Sequence, residues 1–491
     1  MRVMGHSSRR SGQVAQVKQI LEELADIAGR DCLKTDPDVT ARYAVDGLTP
    51  KAVAFPTNTK RVSEIVQCAG RAGFAVVPWG SGTKMSMGNQ PNRLDLVICT
   101  AGMNHMLDVD TANLTITVEA GVRFRDIQAR LATQEDRCYL PLESLTTEKS
   151  EFICSERSHS GCFLPLDPQF SDKATIGGIV ATNSSGPKRL LYGLPRDLVL
   201  GIRFVTPKGD IVGAGGKTVK NVSGYDVSKL MIGSQGSLGI LCEMTLRLLP
   251  LPESMGTLVF AFDRFSDAGS FAAAVMGTKL LPAALEVADR AALEGIELRG
   301  TVDLGSGSYF VVIALEASKE AVARMAAELP AMARHFKSKG YADIQEDKHR
   351  LLWLKLGELQ SILANRHRGL VSLQLNYPLS EWRRIFEFAE LVFSRNEMEH
   401  TLLCHSGCGI TLINIPLGAR QAAVSAALND AVQSLTAECK KVGGNLVVLR
   451  APADLKKSLP VWGEMGADLI LMKRIREEID PSGLMSPGRF I

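Results

Sequence analysis

The sequence predicts an α+β protein built from large domains, and three observations carry that expectation. A short apolar run, a helical period and a second apolar run follow one another between residues 52 and 78, which reads as a strand, helix, strand unit. At Leu248–Glu253 three leucines meet two prolines and a glutamate, after which strand and helix signals restart. The length of 491 residues, at about 150 residues per domain, leaves room for about three domains or two large ones.

Taken in chain order, Val17, Ile20, Leu21, Leu24 and Ile27 recur at helical spacing and predict an amphipathic helix over 14–27. Ala52 to Phe55 predicts a strand, Thr59 to Ala72 a helix with Val62, Ile65, Val66 and Ala69 on one face, and Ala75 to Pro78 a second strand. Leu114, Ile116 and Val118 alternate with threonines as a strand, and Leu198 to Val205 leads through Pro207–Asp210 into Ile211 and Val212 as a hairpin. Beyond residue 254 the strands Tyr309–Leu315, Val371–Leu375 and Ile410–Ile415 are separated by alanine-rich helices such as 321–333, the pattern of a layered α+β domain. Leu469, Met472, Ile475 and Ile479 mark a last helix, ended by Asp480 and Pro481. The segment 133–173 has no period and carries three cysteines, so it reads as a long surface loop or insertion.

Composition excludes several classes of function. With 45% hydrophobic and 22% charged residues the chain is ordinary globular protein, and 56 basic against 53 acidic side chains leave no electrostatic footprint for a phosphate backbone, so no nucleic-acid partner is expected. The Arg9, Arg10 pair is followed by polar residues rather than an apolar region, and there is no apolar run of about 18 residues, so no transmembrane segment and a cytoplasmic location are expected. Peripheral membrane association through partners stays open. Most of the ten cysteines sit in apolar stretches, as reduced core thiols do.

Three glycine-rich clusters carry the chemistry. Pro78, Trp79, Gly80, Ser81, Gly82, Thr83 and Lys84 follow a strand directly, and Gly80 and Gly82 allow positive φ and close approach of backbone N–H groups to an anion such as a pyrophosphate. Met85 breaks the dinucleotide fingerprint, and the spacing does not fit a P-loop. The second cluster runs from Thr175 through Gly177, Gly178, Thr182 and Asn183 to Gly186, and the third from Gly233 through Gln235, Gly236 and Gly239 to Ile240. Three such segments in one predicted domain would let backbone line a long ligand from end to end.

These clusters, the run Gly215–Asp226 and the closing stretch Asp480–Arg489 resemble the FAD-binding oxidoreductases of the vanillyl-alcohol oxidase and p-cresol methylhydroxylase type. Within that family they resemble the glycolate oxidase and D-lactate dehydrogenase branch, and particularly the FAD subunits of glycolate oxidase. The resemblance implies an N-terminal helical segment (1–46), a two-subdomain FAD-binding domain (47–252, with the insertion at about 133–173) and an α+β cap domain (253–466). A C-terminal helix and tail (467–491) would return to the FAD domain. It implies FAD with its pyrophosphate at Gly80–Lys84, the rest of its length running along Asp167–Asn183 and Gln235–Ile240. Neither Trp79 nor Met85 offers a nucleophile for a covalent flavin link, so non-covalent FAD is expected.

The branch implies oxidation of a small 2-hydroxy acid such as glycolate or D-lactate, with electrons passed to an iron-sulfur subunit or a quinone-linked acceptor. Such chemistry calls for a base and for cations that hold a carboxylate. His405 opens a run that matches the family's His-x-Gly-x-Gly-x-x-His strand, but Leu412 stands where the second histidine belongs, and no Glu-His pair follows Gly443 and Gly444. A lone histidine does not make a divalent site, so no metal is expected. The losses leave a second reading open: an FAD-binding electron-relay subunit without substrate chemistry of its own.

Arg366, His367 and Arg368 are the densest cationic group of the cap and would hold the carboxylate if they faced the flavin, with Tyr377 and Lys355 as weaker candidates. On a continuous strand Cys404 and Cys408 would share one face while His405 pointed away, a poor metal motif. Cys138, Cys154, His159 and Cys162 leave zinc, an iron-sulfur cluster or a protein-docking loop as alternatives for the insertion.

Overall fold

The computed structural model of the protein describes residues 5–133, 161–218, 224–297, 305–418, 421–464 and 466–490. The first sheet has the order Leu33–Lys34, Ala52–Ala54, Leu96–Cys99, Val76–Trp79, with the last three parallel. The helix Thr59–Ala72 makes the crossover, capped by the Asn58 side chain on the Arg61 amide (2.9 Å) and closed by Gly73 at φ 65°. Its apolar face packs Val62, Ile65, Val66 and Ala69 onto Val76, Leu96 and Ile98. This parallel unit ends its strand Val76–Trp79 where the first glycine cluster begins.

A second, antiparallel sheet has the order Met106–Asp110, Thr115–Glu119, Ile240–Arg247, Val199–Val205, Ile211–Gly215, the last two forming the expected hairpin. The helix Ile176–Thr182 covers it, with Ile176, Ile179 and Val180 buried. The other two glycine clusters therefore sit at the seam between the two small sheets.

The third sheet carries eight antiparallel strands in the order Gly340–Gln345, Ser254–Phe262, Tyr309–Ala317, Ala284–Asp289, Thr401–His405, Ile410–Ile415, Val371–Asn376, Asn445–Arg450. Helices Phe265–Met276, Lys319–His335, Trp382–Arg395 and Gln421–Lys441 cover one face, and their apolar stripes join Phe260, Leu373 and Ile413 in the largest core. The opposite face presents Gln374, Leu412 and Val447, which lie side by side in register. The helix Asp468–Ile479 has no fully buried residue but packs Ile479 against the core of the antiparallel second sheet, and Leu484 and Met485 beyond it join the core of the parallel sheet.

Two expectations are corrected here. The segment 161–173 is no surface loop: Cys162–Phe163 pairs with Leu249–Pro250, and Cys162, Phe163, Leu164 and Leu166 are buried. Five residues broken by Pro165 are too short to show a period, yet long enough to plug a core. Residues 134–160, with Cys138, Cys154 and His159, lie outside the described residues. The run from His405 is not one strand either, because residues 406–409 turn between two antiparallel strands and place Cys404 and Cys408 on different elements.

Candidate active site

Two adjoining cavities form one cleft, since Thr83, Lys84 and Thr182 line both. The first runs beneath the glycine loop and is lined by Pro78, Gly80, Ser81, Gly82, Thr83, Lys84, Thr175, Gly177, Gly178, Thr182, Gln235, Gly236, Gly239 and Ile240. The second reaches Asn183 and His405 and is floored by the eight-stranded sheet. Asp167 lines neither: it is held behind the wall, accepting from the amides of Gly186 and Lys188 at 2.7 Å each, and so shapes the turn after the second cluster.

The glycines are required by contact. A Cβ on Gly80 would lie 2.1 Å from Thr175 Oγ1, and one on Gly236 2.8 Å from Pro78 Cγ. Of the two glycines that allow positive φ, Gly82 adopts it, at 78°, and Gly80 does not. The cleft thus keeps an open, backbone-lined cradle at the loop. Lys84 stands in it with its ammonium on Gln169 Oε1 (2.5 Å), and burial lowers its pKa to about 8. A half-buried cation beside exposed backbone fits the pyrophosphate of FAD.

At the far end His405 is 3% exposed, and its Nδ1 lies 2.6 Å from Glu286 Oε2, itself fully buried. The two residues are directly opposed on neighbouring antiparallel strands, so sheet register sets the contact. Burial pushes the imidazole down to about 3 and the Glu286 carboxyl up, while the nearby Arg189 charge opposes the latter. The Cys408 thiol, raised to about 12 by burial, is not a nucleophile at neutral pH.

Two arginines line the same cavity. Arg189 donates Nε to Gly186 O (3.0 Å) and Nη2 to Ser185 O, so backbone carbonyls fix its guanidinium. Arg450 ends the strand Asn445–Arg450, and desolvation lowers its pKa. Neither forms a close ion pair among the described residues; the Asp167 and Glu286 carboxyls act on Arg189 from nearby, whereas desolvation alone acts on Arg450.

The structure does not place the other predicted catalytic residues in the cavity that holds His405. Arg366 is paired with Glu297 (2.6 Å) at the end of a helix and lines a third cavity, which meets the cleft at Ser81–Thr83 but does not include His405. Lys355 donates to the Glu297 carbonyl beside it (3.0 Å). Tyr377 lies in the core on the helical side of the large sheet, its hydroxyl 2.6 Å from Thr411 Oγ1. Leu412 does line the cleft, and its isobutyl group supplies no metal ligand where a second histidine would stand. Among the described residues no three metal-ligating side chains gather. Sequence reasoning missed Arg189, Arg450, Glu286 and Gln374, none of which belongs to a recognisable motif.

Comparison with known proteins supplies the frame for this geometry. Residues 50–148 and 155–215 match the FAD binding domain family, and residues 251–448 match the C-terminal domain of FAD linked oxidases. The glycolate oxidase subunit GlcD of Bacillus subtilis is 26% identical over 480 residues, covering 96% of each chain. The D-2-hydroxyglutarate dehydrogenase of Xanthomonas citri pv. viticola is 29% identical over 474 residues, 93% of each. In three dimensions the chain is similar to p-cresol methylhydroxylase (TM-score 0.72, 14% identity, 97% of this chain and 96% of that one). The 4-ethylphenol oxidase of Gulosibacter chungangensis is as similar (TM-score 0.72, 13% identity, 97% of each).

Proposed function

Because the chain belongs to the FAD-linked oxidases, matched by both domains of that family, we propose that it oxidises the hydroxyl-bearing carbon of a small 2-hydroxy acid such as glycolate or D-lactate. The observation that carries this reading is the second cavity: a His405–Glu286 pair and two arginines that form no close ion pair among the described residues meet beyond the end of the glycine-lined cleft. Bound FAD supplies the hydride acceptor. Arg189 and Arg450 hold the substrate carboxylate, with Arg189 preorganised by its backbone bonds. His405 Nε2 takes the hydroxyl proton when Nδ1–H is held by the Glu286 carboxylate.

The relatives named glycolate oxidase subunit and D-2-hydroxyglutarate dehydrogenase support this substrate class. We place the electron acceptor on an iron-sulfur subunit or a quinone-linked partner and the protein in the cytoplasm. No helix among the described residues is long and apolar enough to cross a membrane. Anaerobic mixing of the flavin-loaded protein with glycolate, D-lactate and longer 2-hydroxy acids is expected to bleach the flavin absorbance with at least one of them. Leu412 favours a second reading, an electron-relay subunit, and bleaching that needs added partner subunits would select it.

The Lys84 charge makes cofactor binding depend on pH. Its ammonium titrates at about 8 without the cofactor, and a pyrophosphate beside it raises that value, so binding takes up a proton above pH 8. FAD affinity should be greatest below that pH and weaken by up to about tenfold per pH unit as pH rises. Titrations with FAD from about pH 7 to about 9.5 should show this slope in the wild type and lose it in K84M. A flat profile in the wild type would remove Lys84 from the cofactor site.

A further inference from the structure

The wall of the first cavity holds a charge that the proposed reaction does not use. Arg489, in the C-terminal tail, is 4% exposed and lines the cavity under the glycine loop. Its Nη2 donates to the carbonyls of Met85 (3.2 Å) and Met87 (2.6 Å), just past that loop, while Nη1 is buried with no hydrogen-bond partner. The acid that acts on it is Asp46, which already holds the buried ammonium of Lys456 at 2.8 Å. Two buried cations therefore share one carboxylate. The excess positive charge is costly to keep in the protein interior unless an anion joins it.

The residue is also the pivot of the tail. Val76 N donates to Leu484 O and Ser486 N to Val76 O, both at 2.8 Å, which stitches the tail to the strand that ends in the loop. The Arg489 carbonyl accepts from Asn89 N and from Trp462 Nε1, each at 3.0 Å. Whatever fixes the Arg489 side chain thus fixes the tail, the loop after residue 84 and the tryptophan of the second domain.

We propose that Arg489, together with Lys84, is the counter-cation of the FAD pyrophosphate, and that docking of the C-terminal tail and binding of FAD stabilise each other. A dianion is the ligand that the buried Arg489 guanidinium, the half-buried Lys84 ammonium and a backbone cradle are built to take, and a guanidinium already fixed by two carbonyls loses little freedom on meeting it. Linkage makes the effect reciprocal: what the tail contributes to FAD binding, FAD returns as protection of the tail. The inference rests on FAD as the cofactor and is independent of which substrate is oxidised.

The test uses the full-length protein as wild type, R489M and R489K. FAD binding is followed by flavin fluorescence, with ADP as a competitor that carries the pyrophosphate without the flavin. R489M should bind both FAD and ADP about 10- to 100-fold more weakly, and R489K, which keeps the charge, should recover much of the loss. Hydrogen exchange at the amides of Ser486 and Arg489 should slow when FAD is added to the wild type. Folded R489M, checked by circular dichroism and thermal melting, that bound both ligands within about twofold of wild type would overturn the proposal, as would a loss of FAD with ADP unaffected. If R489M does not fold, R489K and the wild-type exchange decide: unchanged exchange at those amides on adding FAD overturns the coupling.

Discussion

Gly82→Val should purify without its flavin. Gly82 holds φ 78°, a left-handed conformation that costs an L-residue about 1–2 kcal/mol and a β-branched one more. A Cβ there would also lie 2.6 Å from Trp79 Cζ2 and 2.8 Å from Cε2. The indole cannot simply swing away, because its ring is packed against Tyr43 with centroids 5.0 Å apart. The loop must therefore move, and it is the wall of the cavity that would take the pyrophosphate. Since about 1.4 kcal/mol is a factor of ten in affinity, these costs together should drop flavin occupancy below about a tenth, read from the ratio of flavin to protein absorbance. Gly73→Ala is the control: φ is 65° but nothing lies within 4 Å of its Cβ, so it should lose stability and keep its flavin. A Gly82→Val protein with a full flavin complement would show that the loop is not the cofactor cradle.

What could be read in advance follows from the range of the interactions involved. The helix Thr59–Ala72 was legible to the residue because the apolar stripe that marks it is local. The glycine loop was legible because small residues in sequence become exposed backbone in space. Glu286 was not: the strand Ala284–Asp289 reads Ala-Leu-Glu-Val-Ala-Asp with no clear period, and its partner His405 is 119 residues away. Charge density misled for a physical reason. Arg366 and Arg368 stand in a dense group because they are solvated, whereas Arg450 stands alone and Arg189 has only Lys188 beside it, where burial tolerates few charges.

Removing the His405 imidazole should lower the rate of flavin reduction by about 10²–10⁴-fold, the usual worth of a positioned base, while FAD stays bound. Asparagine is the fitting replacement, since it spares the buried site a large cavity, and the loss should fall on kcat more than on KM. Substitution of Arg189 or Arg450 should instead weaken substrate binding. Glu286 acts through His405 and is a positioning residue, so its test is the pH profile. The pair can act as a base only with the proton on Nδ1 and a carboxylate at Glu286, a form that burial opposes by raising the Glu286 pKa and that the Arg189 charge favours. The wild-type rate should therefore fall as pH drops, through one ionisation lying above the usual carboxylate range. In E286Q there is no carboxyl to titrate, and burial holds the His405 imidazole down to about 3, so the limb should vanish and the rate fall by about 10- to 100-fold. A merely structural Glu286 would give lower stability with the limb intact. Full flavin reduction by folded H405N would move the base elsewhere in the cleft.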